Sequence, residues 1–198
     1  MGNEQRIILI TQGDLPNVDV SRVFVEQGEH INCIPWEHVL LHEKFRYLVG
    51  KYESALANDG AIDLAITTGA NYAAHVVILI GVGGDSLLQI YNDTTFNSDP
   101  GGSVLTPSNR SQEPVVRAST VTVLNDPSID ALGSALIPGG GRFFPGGSAG
   151  VAQGTSGEGR DELIQPINTT FIYRLTNISG QARKTNLTLD FYEHVPIV

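Results

Sequence analysis

Apolar and polar positions alternate most clearly between residues 163 and 193 (LIQPINTTFIYRLTNISGQARKTNLTLDFYE). Phe171, Tyr173 and Leu175 alternate with Thr170, Ile172, Arg174 and Thr176; after a turn, Leu187, Leu189 and Phe191 alternate with Asn186, Thr188, Asp190 and Tyr192. Period two, twice, predicts two strands with one apolar face each. Asn177-Ile178-Ser179-Gly180 supplies turn chemistry between them, so the pair reads as an antiparallel hairpin. A lone hairpin is not stable in water, and the rest of the chain is expected to add strands and a covering layer.

Upstream, residues 6–11 (RIILIT) read as an isolated strand or an arm that pairs with another chain, and 20–26 (VSRVFVE) as a strand. Residues 31–39, with Pro35 and Trp36, have no clear period, and 37–49 fit helical and strand spacing at once; the surroundings favour strand from Lys44. A turn at 57–60, built on Asp59-Gly60, precedes clean alternation over 61–67 (AIDLAIT). Residues 73–80 (AAHVVILI) are continuously apolar, which suits a strand covered on both faces or lying at an interface. With the glycine turn at 81–85 and the run 87–92 (LLQIYN), they read as a second hairpin. Residues 97–114 read as a loop and 119–124 as a strand. The stretch 138–160 carries nine of the 22 glycines, buries too little side chain to fold alone and reads as a long loop. Phe143 and Phe144 within it either dock on a partner or tuck back onto their own domain. About eight strands with glycine-rich turns, and no internal repeat, predict an all-β antiparallel β-sandwich of jelly-roll type.

Composition narrows the functional classes. The chain has 198 residues, 41% hydrophobic and 17% charged, enough for one domain with a real core. Net charge is -9, and the 12 Lys and Arg are scattered, which argues against nucleic acid as a partner. The single cysteine, Cys33, has no intrachain partner and no CxxC setting; it reads as a small hydrophobe. No signal-peptide pattern or membrane-length apolar run is present, so the expectation is folding in a reducing cytoplasm, with no membrane partner.

Candidate chemistry is thin. Gly146-Gly147-Ser148-Ala149-Gly150 matches G-x-S-x-G but lacks the strand before and the helix after that hold a nucleophile elbow. His38 and His42 have i, i+4 spacing without a further ligand. His75 sits in an apolar run and reads as a hydrogen-bonded core or interface histidine, while His30 and His194 have no evident partners. The glycine clusters at 81–84 and 139–141 lack the lysine of a phosphate loop. Asp161-Glu162 has no second carboxylate to make a glycosidase pair. The expectation is no catalytic residue, no metal, no cofactor and no enzymatic activity.

The glycine- and serine-rich loop, then 162–170 (ELIQPINTT), 173–180 (YRLTNISG) and 190–193 (DFYE), resemble a group of tailed-bacteriophage virion proteins, the capsid decoration (cement) proteins. Leu41-His42-Glu43 with Phe45 and Tyr47, His75 in its apolar strand, 91–96 (YNDTTF), Ser108-Asn109-Arg110 and residues 121–127 fit the same pattern, so the resemblance spans roughly 40–194. It implies a jelly roll at 37–198 that assembles as a homotrimer on the outer surface of a phage head and binds the major capsid protein. Residues 1–36 are then an N-terminal arm or extension. On this reading Arg6, Ile8 and Ile10 of the arm, Val76 and Ile78 of the apolar strand, and Phe143 and Phe144 are interface residues. The alternatives are a head-fibre or tail-associated module that binds a host glycan, and a hydrolase using Ser148 or paired carboxylates.

Overall fold

The alternating stretches form strands, and the strands form antiparallel sheets. The computed structural model describes residues 6–8, 22–27, 30–35, 44–111, 117–146 and 162–196, the first three segments by backbone alone. Those three are β1 (Arg6–Ile8), β2 (Arg22–Gln27) and β3 (His30–Pro35), paired in the order β1-β2-β3. Residues 31–39, which have no clear period, thus hold a strand at their front. Ile10, His38, His42 and Ser148 lie outside the described residues.

The next strands are β4 (Arg46–Leu56), β5 (Ala61–Thr67), β6 (Ala73–Val82), β7 (Ser86–Asn92), β8 (Thr95–Phe96), β9 (Ser103–Leu105), β10 (Ser108–Asn109) and β11 (Thr122–Asn125). After them come β12 (Ile129–Ala131), β13 (Ser134–Ala135), β14 (Arg142–Phe144), β15 (Glu162–Gln165), β16 (Thr170–Asn177) and β17 (Arg183–His194). One sheet runs β10-β4-β17-β6-β15; the other runs β13-β7-β16-β5-β11-β9, with β14 also on β7. β8 and β12 pair separately. The two large sheets face each other as a sandwich: Val49, Ile80, Leu187, Leu189 and Phe191 of the first cluster with Ile62, Leu64, Ile66, Phe171 and Leu175 of the second. Tyr47 stacks on Phe191 with ring centroids 5.4 Å apart. Each such buried side chain contributes about 1.5–3 kcal/mol.

The two expected hairpins do not exist as hairpins. β16 pairs with β5 and β7, whereas β17 pairs with β4 and β6; likewise β6 and β7 lie in opposite sheets. Turn residues reverse the chain but do not say whether the returning strand lies beside its predecessor or across the core. Here each apolar face is covered by the strand that follows it. The expected loops also carry pairing: β9 and β10 lie within 97–114, and β14 within the glycine-rich stretch, where Arg142, Phe143 and Phe144 pair with Leu88, Leu87 and Ser86.

One end of the sandwich is clipped together by Asn177, which is fully buried. Its Nδ2 donates to the carbonyls of Leu56 (2.8 Å), Ala57 (3.0 Å) and Gln181 (2.7 Å), and its Oδ1 accepts from the Ser179 N–H and hydroxyl. The Ile178 N–H donates to the Asp85 carbonyl at 2.9 Å. The turns after β4, β6 and β16 are thereby one polar unit. Gly84 lies so close that a Cβ there would sit 2.7 Å from Ser179 and from Arg183 Cγ.

Candidate interaction face

The outward face of the five-stranded sheet holds the described residues with the most to offer a partner. Strand register arranges them in rows. The first row is Arg46, Tyr192, His75 and Ile164 across β4, β17, β6 and β15; the second is Leu48, Asp190, Val77 and Glu162. The third is Gly50, Thr188 and Leu79, and the fourth Tyr52, Asn186 and Gly81. Apolar and aromatic side chains are unusually prominent for an outward face: Leu48 is 37% exposed, Tyr52 56% and Ile164 55%.

The first two rows are held by polar contacts. Asp190 takes a bidentate pair from Arg46, Nε and Nη2 each at 3.0 Å, and a third contact from Arg110 Nη1 at 2.6 Å. Two guanidinium groups thus converge on one carboxylate, with Glu162 two strands away in the same row. Beside it, His75 stacks on Tyr192 (centroids 4.6 Å) and meets His194 edge-on (4.5 Å). The Tyr192 hydroxyl, at 2.7 Å, and Glu162 Oε1, at 3.3 Å, compete for His75 Nδ1. Burial, and then the neighbouring His194, hold His75 below its ordinary value despite Glu162, which pulls it up. His75 is therefore a tie between three strands, consistent with the hydrogen-bonded histidine read from its apolar setting.

Next to the fourth row lies a hollow of about 630 Å³, lined by Tyr52, Ser54, Gly81, Arg183, Lys184 and Asn186 among others. Thr188 Oγ1 fills the space a side chain at Gly50 would need, since a Cβ there would sit 2.6 Å from it. From that position it exchanges hydrogen bonds with the Asn186 side chain, at 3.1 and 3.3 Å.

The residues expected at an interface are dispersed. Arg6 and Ile8 lie on β1, opposite Glu26 and Phe24 of their own chain, so this strand pairs internally along these residues. Val76 is fully buried and Ile78 is packed against the core; the side chains of that strand open to a partner are those of the outward set, His75, Val77 and Leu79. Phe143 is 53% exposed and Phe144 only 5%, so the two aromatics divide between surface and core as strand alternation requires. Asp190 and Arg46 are not legible as a pair, because 144 positions separate them. Nor is the hollow, because β4, β6 and β17 meet there only through long-range register.

Among the described residues no group of three or more His, Cys, Asp or Glu is placed to hold a metal ion. No helix among them is long and apolar enough to cross a membrane. No family model, curated protein or solved structure matches the chain.

Proposed function

We propose that this chain is a non-enzymatic structural protein of a bacteriophage virion that decorates a capsid, self-associating as a homotrimer and binding the outer surface of the major capsid protein. The resemblance of residues 40–194 to capsid decoration proteins supplies the biological setting. Strand order supports the fold it implies. β4-β17-β6-β15 in one sheet and β5-β16-β7-β14 in the other is the order of an eight-stranded jelly roll, an architecture used by viral capsid and lectin domains. The stretch between β7 and β14 is then an insertion that adds β9 and β11 beyond β5, and β10 beyond β4.

The observation that carries the assembly reading is the outward sheet face, where Leu48, Val77, Leu79 and Ile164 lie beside the ion pairs of Asp190. Apolar side chains ringed by fixed charges suit a surface buried against a protein, the charges setting register and the apolar rows supplying the driving force. A threefold arrangement closes such contacts without leaving an open end.

Two measurements test this. Purified heads are expected to contain the chain in many copies, at a fixed ratio to the shell subunit; its absence, or a copy number of only a few per particle, overturns the proposal. Val77→Asp with Ile164→Asp is expected to leave the monomer folded by circular dichroism and to abolish trimers in light scattering. The alternative, a head-fibre or tail-associated glycan-binding module, draws support from Tyr52 lying beside Asn186 at the far end of the same face.

A further inference from the structure

The geometry points to a binding site for an acidic saccharide in the hollow beside Tyr52, a site that does not depend on attachment to any shell. Three features of the lining converge. Tyr52 presents an exposed aromatic ring on the outward face of β4; such a ring offers an apolar surface for the C–H face of a pyranose. Gly81, in the same row across β17, has no side chain, and Gly83 follows it in the lining, so the floor beside the ring is low. The Asn186 amide, which exchanges hydrogen bonds with Thr188, and the Ser54 hydroxyl add the donors and acceptors that sugar hydroxyls require.

Charge decides the class of sugar. The chain is acidic overall, at net -9, yet the hollow is lined by Arg183 and Lys184 and by no carboxylate. Neither cation is in an ion pair among the described residues, and the Arg183 Nε is buried there without a hydrogen-bond partner. Arg183 is also held in place, its stem packed against Gly84 in the clipped turns. A carboxylate or sulfate on a sugar ring stacked at Tyr52 would meet Lys184, on the same face of β17 as Asn186, with Arg183 on the alternate side of the strand adding positive charge beside it, a charge-assisted contact that a neutral sugar cannot make. A volume of about 630 Å³ is of the size that takes a drug-sized or short oligomeric ligand. The hollow is flanked by the clipped turns, roughly 13 Å along the strands from the row of Asp190 and Val77, at about 3.3 Å per residue. An assembly contact over the first three rows, which hold Leu48, Val77, Leu79 and Ile164, stops short of it.

Ligand-observed NMR and calorimetry on the full chain, with trigalacturonic acid and sialyllactose against maltotriose and lactose, test the site. The acidic sugars are expected to bind at least about tenfold more tightly than the neutral ones. Tyr52→Ala is expected to weaken both classes. Lys184→Glu is expected to erase the preference for acidic sugars and leave neutral binding unchanged. Tyr52 and Lys184 are exposed, so circular dichroism and melting should match the parent. No saccharide binding at millimolar concentration, binding that survives Tyr52→Ala, or equally tight binding of poly-aspartate or oligo-dT each overturns the proposal. None of these outcomes bears on the copy number in heads, so the two readings fail separately.

Discussion

Replacing Asn177 with alanine strands three main-chain carbonyls, those of Leu56, Ala57 and Gln181, at the closed end of the sandwich. The amide is fully buried, and water entering the gap restores only part of what it supplied. An unsatisfied buried group costs about 1–3 kcal/mol, and Asn177→Ala is expected to lower stability by about 2–4 kcal/mol, read as a lower urea midpoint at constant slope. Asn177→Asp keeps the acceptor that serves Ser179 but loses the donors, and is expected to be nearly as damaging. The sequence marks Asn177 only as a turn residue. Its two most distant partners lie 120 and 121 positions upstream, and nothing local announces them. The same holds for the bidentate pair of Arg174 and Asp63, at 2.7 Å through both nitrogens, and for Glu193. The Glu193 carboxylate is buried and accepts from the Ser119 hydroxyl at 2.6 Å and the Thr120 N–H at 2.7 Å.

At the scale of elements, alternation located β5, β16 and β17, because a half-buried strand must alternate wherever it lies. β5 matches its expected span of 61–67 residue for residue, and β7 differs from its own by one. Pairing was not legible, since β16 and β17 look the same whether they hydrogen-bond to each other or face each other. β14 was hidden for another reason: its three residues sit among glycines and take their order from β7, not from their own period.

Among the described residues β15 is an edge strand of four residues, paired with β6 alone, and the Glu162–His75 contact reinforces that edge. His75 is depressed in the folded chain, so below about pH 6.5, its ordinary value, the unfolded chain binds a proton more readily than the folded one. Stability tied to His75 is thus fully present above that pH and falls as pH drops toward the folded-state value. Glu162, Tyr192 and His194 are the titratable groups against the ring, and Glu162 partly offsets the loss by favouring the imidazolium. His75→Gln is expected to flatten the fall in urea midpoint between pH 7.5 and 5.5. An equally steep fall in that variant would place the sensitivity elsewhere.

For the whole molecule, the central strand of the five-stranded sheet is the last of the described strands in sequence. β17 lies between β4 and β6, pairing with both along most of its length. A ribosome therefore releases all of β4 to β16 before this sheet has its middle. Until then β4 and β6 expose unsatisfied edges to the cell, a period in which such intermediates aggregate. Nascent chains halted after Gly180 should remain protease-sensitive, and protection should appear only once residues through His194 clear the exit tunnel; earlier protection would show that the amino-terminal strands find another way to close. Closure of this sheet is then governed by the emergence of β17 from the ribosome, and a sister copy offering its own β17 to a waiting chain is the exchange most readily made in that interval.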